Sequence, residues 1–289
     1  MGINAFFLTV MMLCFMSLPV QAQQSQDNPQ RFQGFNLEGY TDGGQKSWEV
    51  KGETADVMEN SINITNVDAN QFGKQKMNLK SKEGTIDKVS GDIHLQNDVV
   101  VTSETGSQLK TDTLDWQKAK DLVTTDDKVV ITDKMFEATG QGLTAHPNLK
   151  TAQMDKDVTV KVNTDPEKPN SDVVVITSDG PMEIDQKKNM AVFNDNVVAV
   201  QTDRTLKADR MEIYFDQQTQ KITQTICIGH VYILQGANSS QSEKAVYDAV
   251  EQKMTLYGRP KIIMVTQGGG GLASLDSKKK KPEDEKKTP

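Results

Sequence analysis

The chain has 289 residues, 36% of them hydrophobic and 6% aromatic, with a net charge of -7. So little apolar material argues against one thick spherical core and suits a thin stacked architecture, in which each residue packs only against neighbouring layers. The acidic balance excludes nucleic acid as a partner, because phosphate recognition calls for basic patches.

Met1 to Ala22 reads as an export signal: Phe6 to Met16 is an apolar run, and Val20-Gln21-Ala22 resembles a small-residue cleavage site. Ile3 to Val20 is also long enough for an uncleaved membrane anchor. In either case the bulk of the chain leaves the cytoplasm. The first structured unit opens at Phe35, where the turn T-D-G-G-Q-K suits a hairpin into the Trp48 strand.

From there one phrase recurs. A short apolar strand ends in an acid, a polar turn follows, then a second strand, then an acidic, Asn or Gly turn into a Val-rich run. Copies start at Thr85, Leu114, Met182, Ile213 and Ala245. The Val-rich runs centre near Val100, Val130, Val160, Val198, Tyr232 and Ile263, at steps of 30, 30, 38, 34 and 31 residues. Alternation with period two and enrichment in Val, Ile and Thr make these repeats strands rather than helix pairs. The fold class is therefore all-β, a stack of antiparallel hairpin repeats whose functional surface is long and continuous. About sixteen strands at ~4.8 Å spacing would give a rod of roughly 75 Å.

The recurring acids Asp87, Asp115, Asp185, Asp216 and Asp248 fall at matched turn positions. A catalytic carboxylate pair would occur once rather than once per repeat, so hydrogen bonding to the following backbone amides is the expected role. His94, His146 and His230 lie on different repeats without ligand spacing, and no nucleophile elbow, phosphate loop or dinucleotide fingerprint is present. No catalytic residue, metal site or cofactor is expected. Cys227 reads as a buried structural thiol.

Residues 164–172, carrying two prolines and no apolar side chain, divide the repeats into a block over 31–163 and a block over 173–267. Residues 268–289 read as a flexible hinge and a charged tail. In the second block, strand parity assigns the apolar lining to Met190, Val192, Val198, Val200, Met211, Ile213, Phe215, Ile226, Ile228, Val231 and Ile233. An apolar face of this kind is either a closed core or a trough for something long and greasy. Unpaired end strands would let such stacks join end to end.

The motifs A-D-R-M-E-I at Ala208, G-H-V at Gly229 and A-V-Y-D at Ala245 resemble the OstA-like domain of the LptA family, over about Val173 to Gln267. F-x-L-x-x-Y-T-D-G-G-Q-K-S-W-E-V-K-G-E-T-A-D from Phe35 and F-E-A-T-G-Q-G-L-T-A from Phe136 resemble the LptC family, over about Arg31 to Val162. The resemblance implies two consecutive open β-jellyrolls, each a folded-over sheet shielding the lipid A acyl chains of lipopolysaccharide. It also implies a periplasmic bridge of Gram-negative outer-membrane biogenesis, from an inner-membrane ABC exporter to an outer-membrane insertion complex. The alternative is an exported structural or adhesive β-solenoid without lipid.

Overall fold

A computed structural model describes residues 30–72, 76–163, 173–219 and 221–265. The expected leader, the segment 164–172 and the tail lie outside the described residues. Among the described residues the chain is a single antiparallel sheet of 17 strands with one turn of 3₁₀ helix at Lys118–Lys120. The strands follow one another as a meander: β1 (Gln30–Tyr40), β2 (Lys46–Val57), β3 (Ser61–Gln71), β4 (Met77–Asp87), β5 (Ile93–Ser103), β6 (Gln108–Gln117), β7 (Leu122–Thr132), β8 (Phe136–His146) and β9 (Thr151–Asn163). Then come the short β10 (Val173–Ser178) and β11 (Met182–Asp185), the long β12 (Met190–Gln201), β13 (Arg204–Phe215), β14 (Ile222–Gln235) and β15 (Asn238–Asp248), and the short β16 (Lys253–Tyr257) and β17 (Lys261–Ile263).

The second turn of the recurring phrase is a bend within a strand. Q-N-D in β5, N-D-N in β12 and G-H in β14 reverse nothing; the chain continues in the same strand and pairs with the same neighbours on both sides of a register shift. Asn97, Asp98, Asp195, Asn196, Gly229 and His230 hold positive φ there. Asn, Asp and Gly tolerate that region best, which is why the repeat places them at this point. Each long strand is thus two arms joined by a bulge. β10 and β11 are the two arms of one such strand, interrupted at Asp179-Gly180-Pro181, and β16 and β17 are the arms of another, interrupted at Gly258-Arg259-Pro260. The 30-residue period of the sequence is one up-and-down pair of bent strands.

Carboxylates cap these bends. A Cβ placed on Gly142, Gly180, Gly229 or Gly258 would strike the side chain of Asp155, Asp195, Asp209 or Glu243 respectively, each on a neighbouring strand. Four of the recurring acids close the hairpin turns as expected. Oδ1 of Asp87, Asp185, Asp216 and Asp248 each accepts two backbone N–H bonds from the residues two and three positions on, at 2.7 to 3.1 Å. Asp115 differs: its Oδ1 lies 2.7 Å from His94 Nδ1 across β5 and β6.

The bends fold the sheet over itself. Val99, Val129 and Val197 are 0% exposed on one face of the sheet. Among the described residues the sheet is the only layer, so the cover over these side chains is its own second arm. The core lies along this fold line. β9 pairs with β10 on one arm, from Val158–Ser178 to Asn163–Val173, and with β11 on the other, from Thr151–Asp185 to Met154–Met182. Pairing therefore passes from the first block of repeats to the second without an edge. One buried cluster, including Val129, Met154, Ile176 and Phe193, draws on both blocks.

Candidate functional site: the inner face of the folded sheet

Cross-strand partners share a face, so the register traces which side chains line the inside. On one arm the row begins Leu37–Val50–Ala69–Leu79 in β1 to β4 and continues Val101–Leu109–Ile131–Ala138 in β5 to β8. It passes Val160–Ile176–Ala199 in β9, β10 and β12 and ends Leu206–Ile233–Ser240–Ile262 in β13, β14, β15 and β17. Ser240 is its one polar member. On the other arm a second row runs Ile62–Ile86–Ile93–Trp116 in β3 to β6, then Val123–Ala145–Ala152–Ile184 in β7, β8, β9 and β11. It finishes Ala191–Ile213–Thr225–Tyr247–Met254 in β12 to β16. Two apolar rails therefore face inward along nearly the whole sheet.

The rails differ from the fold line in burial. From β2 to β7 every rail residue is only partly buried, while Ile64, Val67, Leu95, Val99 and Leu114 beside the bends are buried. The inside is sealed at its root and wet towards its lips. At the two ends of the sheet the rails run out into solvent, with Leu37 at one end and Met254 and Ile262 at the other all exposed.

The residues that parity assigned to the lining divide between the faces. Met211, Ile213, Phe215, Val231 and Ile233 are inward, in or against the buried cluster. Met190, Val192, Val198, Val200, Ile226 and Ile228 lie on the outer face, where Val192 is partnered by Glu183 and Glu212, Ile228 by Arg210, and Val198 by Lys207. The physical reason is that β12 and β14 are apolar on both faces, so alternation carries no sign there. On β12 the inward set is the alternate Ala191, Phe193, Val197 and Ala199, two of which are small enough to be passed over beside Met190 and Val200. The signal that points the right way is on β13: Glu212 and Arg210 are charged, so Met211 and Ile213 face in, and their partners Phe193 and Ala191 follow.

The outer face of β13 is polar. Arg210 donates to Asn194 Oδ1 (2.8 Å) and Glu212 Oε1 (3.0 Å), and the Tyr214 hydroxyl donates to Glu212 Oε2 (3.0 Å). That contact raises the Tyr214 pKa, since the carboxylate disfavours a phenolate beside it. Cys227 stands inward between Met211 and Ala245, and burial pushes its thiol up to about 12. His94 and His230 each lie beside one aspartate, Asp115 and Asp209, and His146 Nδ1 lies 3.0 Å from the Asp121 carbonyl. Among the described residues no group of three or more His, Cys, Asp and Glu could hold a metal ion, and no helix is long and apolar enough to cross a membrane.

No curated protein matches the chain. A solved structure, LptH from Pseudomonas aeruginosa, described as the LptA homologous periplasmic component of a lipopolysaccharide transport device, is 16% identical over 66% of this chain and 95% of its own, with a TM-score of 0.21. Residues 3–163 match the family model for lipopolysaccharide-assembly, LptC-related proteins, and residues 175–273 match that for the LptA/(LptD N-terminal domain) LPS transport protein. The chain belongs to the LptC-related family of lipopolysaccharide-assembly proteins, and a domain of the LptA/LptD N-terminal type follows in the same chain.

Proposed function

We propose that this protein carries lipopolysaccharide across the periplasm, with lipid A acyl chains held between the two inner rails and the sugar portion outside the lips. One observation carries the reading. From β2 to β7 both rails are apolar and remain only partly buried, with no other layer among the described residues to cover them. Apolar surface left open in this way marks a binding surface. Each methylene moved from water to such a surface gains about 0.8 kcal/mol, so a few acyl chains suffice for firm binding.

Exposed rail ends at both edges of the sheet suit joining to further sheets of the same kind, by strand addition that continues the rails. In this reading the partners are an inner-membrane ABC exporter at one end and an outer-membrane insertion complex at the other. Metabolic energy comes from the exporter, and the chain itself performs no catalytic step. An adhesive solenoid would instead bury its rails throughout.

The reading is tested by preparing the protein without detergent and recording native mass spectra. The expected result is a population heavier by one or more glycolipid masses, restored after stripping by adding rough-type lipopolysaccharide. A folded protein that leaves the cell lipid-free and takes up none on addition would refute it.

A further inference from the structure

The rails are not open along their whole length. Over β8 to β13 half of the rail side chains become fully buried: Ala138, Val160 and Ile176 are 1, 6 and 3% exposed on one arm and Ala191 and Ile213 are 5 and 4% on the other, while Ala145, Ala152, Ile184, Ala199 and Leu206 stay partly buried. Proximity to the middle of the sheet does not explain this, since β4 to β6 are also flanked by several strands on each side and their rails stay partly exposed. The difference is in the side chains at the fold line. There the inward row from β9 to β13 reads Met154–Met182–Phe193–Met211, all buried and each directly opposite the next. In the first block the corresponding row is Ala55–Ile64–Gly84–Leu95–Leu114.

Long, unbranched thioethers fill this part of the fold line, and the rails on either side of it carry the small Ala138, Ala145, Ala152, Ala191 and Ala199. Gly140 serves the same end, since any Cβ there would strike Met154. These strands straddle the passage from the LptC-related segment to the LptA-type domain. Methionine suits a filling that must part and reseal, having three rotatable bonds and a soft, polarisable sulfur.

We propose that Met154, Met182, Phe193 and Met211 form a neck that closes the furrow between two lipid-holding bays, one in β2 to β7 and one in β14 to β17. A lipid passing along the chain parts this neck, and at rest it occupies either bay rather than the neck itself. The inference rests on the carrier reading above and adds to it the position of a barrier and the residues that make it.

The test places an aliphatic diazirine side chain, close to isoleucine in volume, at Leu79, Ile176 or Ile233 of the full chain, followed by illumination with rough-type lipopolysaccharide. The expected labelling is strong at Leu79 and Ile233 and lower by about tenfold or more at Ile176. Met182→Ala with Met211→Ala is expected to raise labelling at Ile176 to within about threefold of Leu79, because the bore is then open. Met182→Leu with Met211→Leu conserves volume and is expected to keep the gap. Equal labelling of all three positions in the wild-type protein overturns the neck while leaving the carrier reading intact, and this scan decides without any variant. A gap that persists in the double alanine protein, with Leu79 still labelled, also overturns the assignment to these methionines. Absence of label at every position of the wild-type protein overturns the carrier reading and the neck with it.

Discussion

Val160 and Ile176 stand directly opposite each other in β9 and β10, both buried, one on each side of residues 164–172. They belong to one apolar cluster that takes side chains from both family segments. A core shared in this way couples the two segments energetically. The expected outcome is a single calorimetric unfolding transition for the second half of the first block together with the second block. Ile176→Ala should lower stability by about 2–5 kcal/mol, the usual cost of emptying a buried aliphatic site. Two well-separated transitions, with only the later one moved by Ile176→Ala, would contradict the shared core.

The hairpin acids confer acid sensitivity of a definite sign. Backbone N–H donors from Ser90 and Thr219 hold the carboxyls of Asp87 and Asp216 below the usual range, and Lys188 does the same for Asp185. A carboxyl whose folded pKa lies below its unfolded value near 4 stabilises the fold above that value. The contribution is lost as pH falls through the folded pKa. Urea midpoints should therefore be flat from neutral pH down to about 5 and fall below about 4. In Asp216→Asn, which cannot ionise, the acid-side fall should be shallower; an unchanged slope in this variant would argue against the turn's contribution.

At the bend of β13 and β14, Gly229 has φ 76° and faces the Asp209 carboxylate. Gly229→Ala meets both backbone strain and that carboxylate, with an expected loss of about 1–3 kcal/mol. Adding Asp209→Ala removes the carboxylate but leaves the Cβ of residue 209 close by and the backbone strain in place, so the double variant should recover part of the loss. A double-mutant cycle in urea with no coupling between the two sites would show that the carboxylate does not press on this bend.

Cys227 is inward, 1% exposed, with its thiol raised to about 12 by burial. The thiolate is the reactive form, so alkylation of Cys227 in the native protein at pH 8 should be slower than in urea by several orders of magnitude. Measured by intact mass, the rate should track global opening and fall further with bound lipid. Alkylation as fast as that of a free thiol would place this strand outside the core.

Much of this was legible in the residues. The period of Val-rich runs gave strands and their number, and the acids at Asp87, Asp185, Asp216 and Asp248 gave the hairpin turns. Three things were not. Q-N-D and N-D-N carry the same residue types as a reversing turn, and only long-range pairing on both sides of them distinguishes a bend inside a strand. Facing was the second, because M-A-V-F and V-V-A-V in β12 are apolar on both sides and the parity of one strand is fixed only by the charges of the next. The passage between the two segments was hidden for a related reason: residues 164–172 read as a separation, whereas β9 pairs on both arms with the strands that follow.

In a carrier of this kind the inward face, and not the outward one, meets lipid. Tyr232 and Ile233 are consecutive in β14 and lie on opposite faces, partnered by Lys207 and Leu206. A photo-crosslinking side chain placed at each in turn, in cells making lipopolysaccharide, compares the two faces at one point along the rod. Strong lipopolysaccharide adducts from Ile233 with little or none from Tyr232 is the predicted result. Equal adducts from both, or adducts from Tyr232 alone, would contradict it.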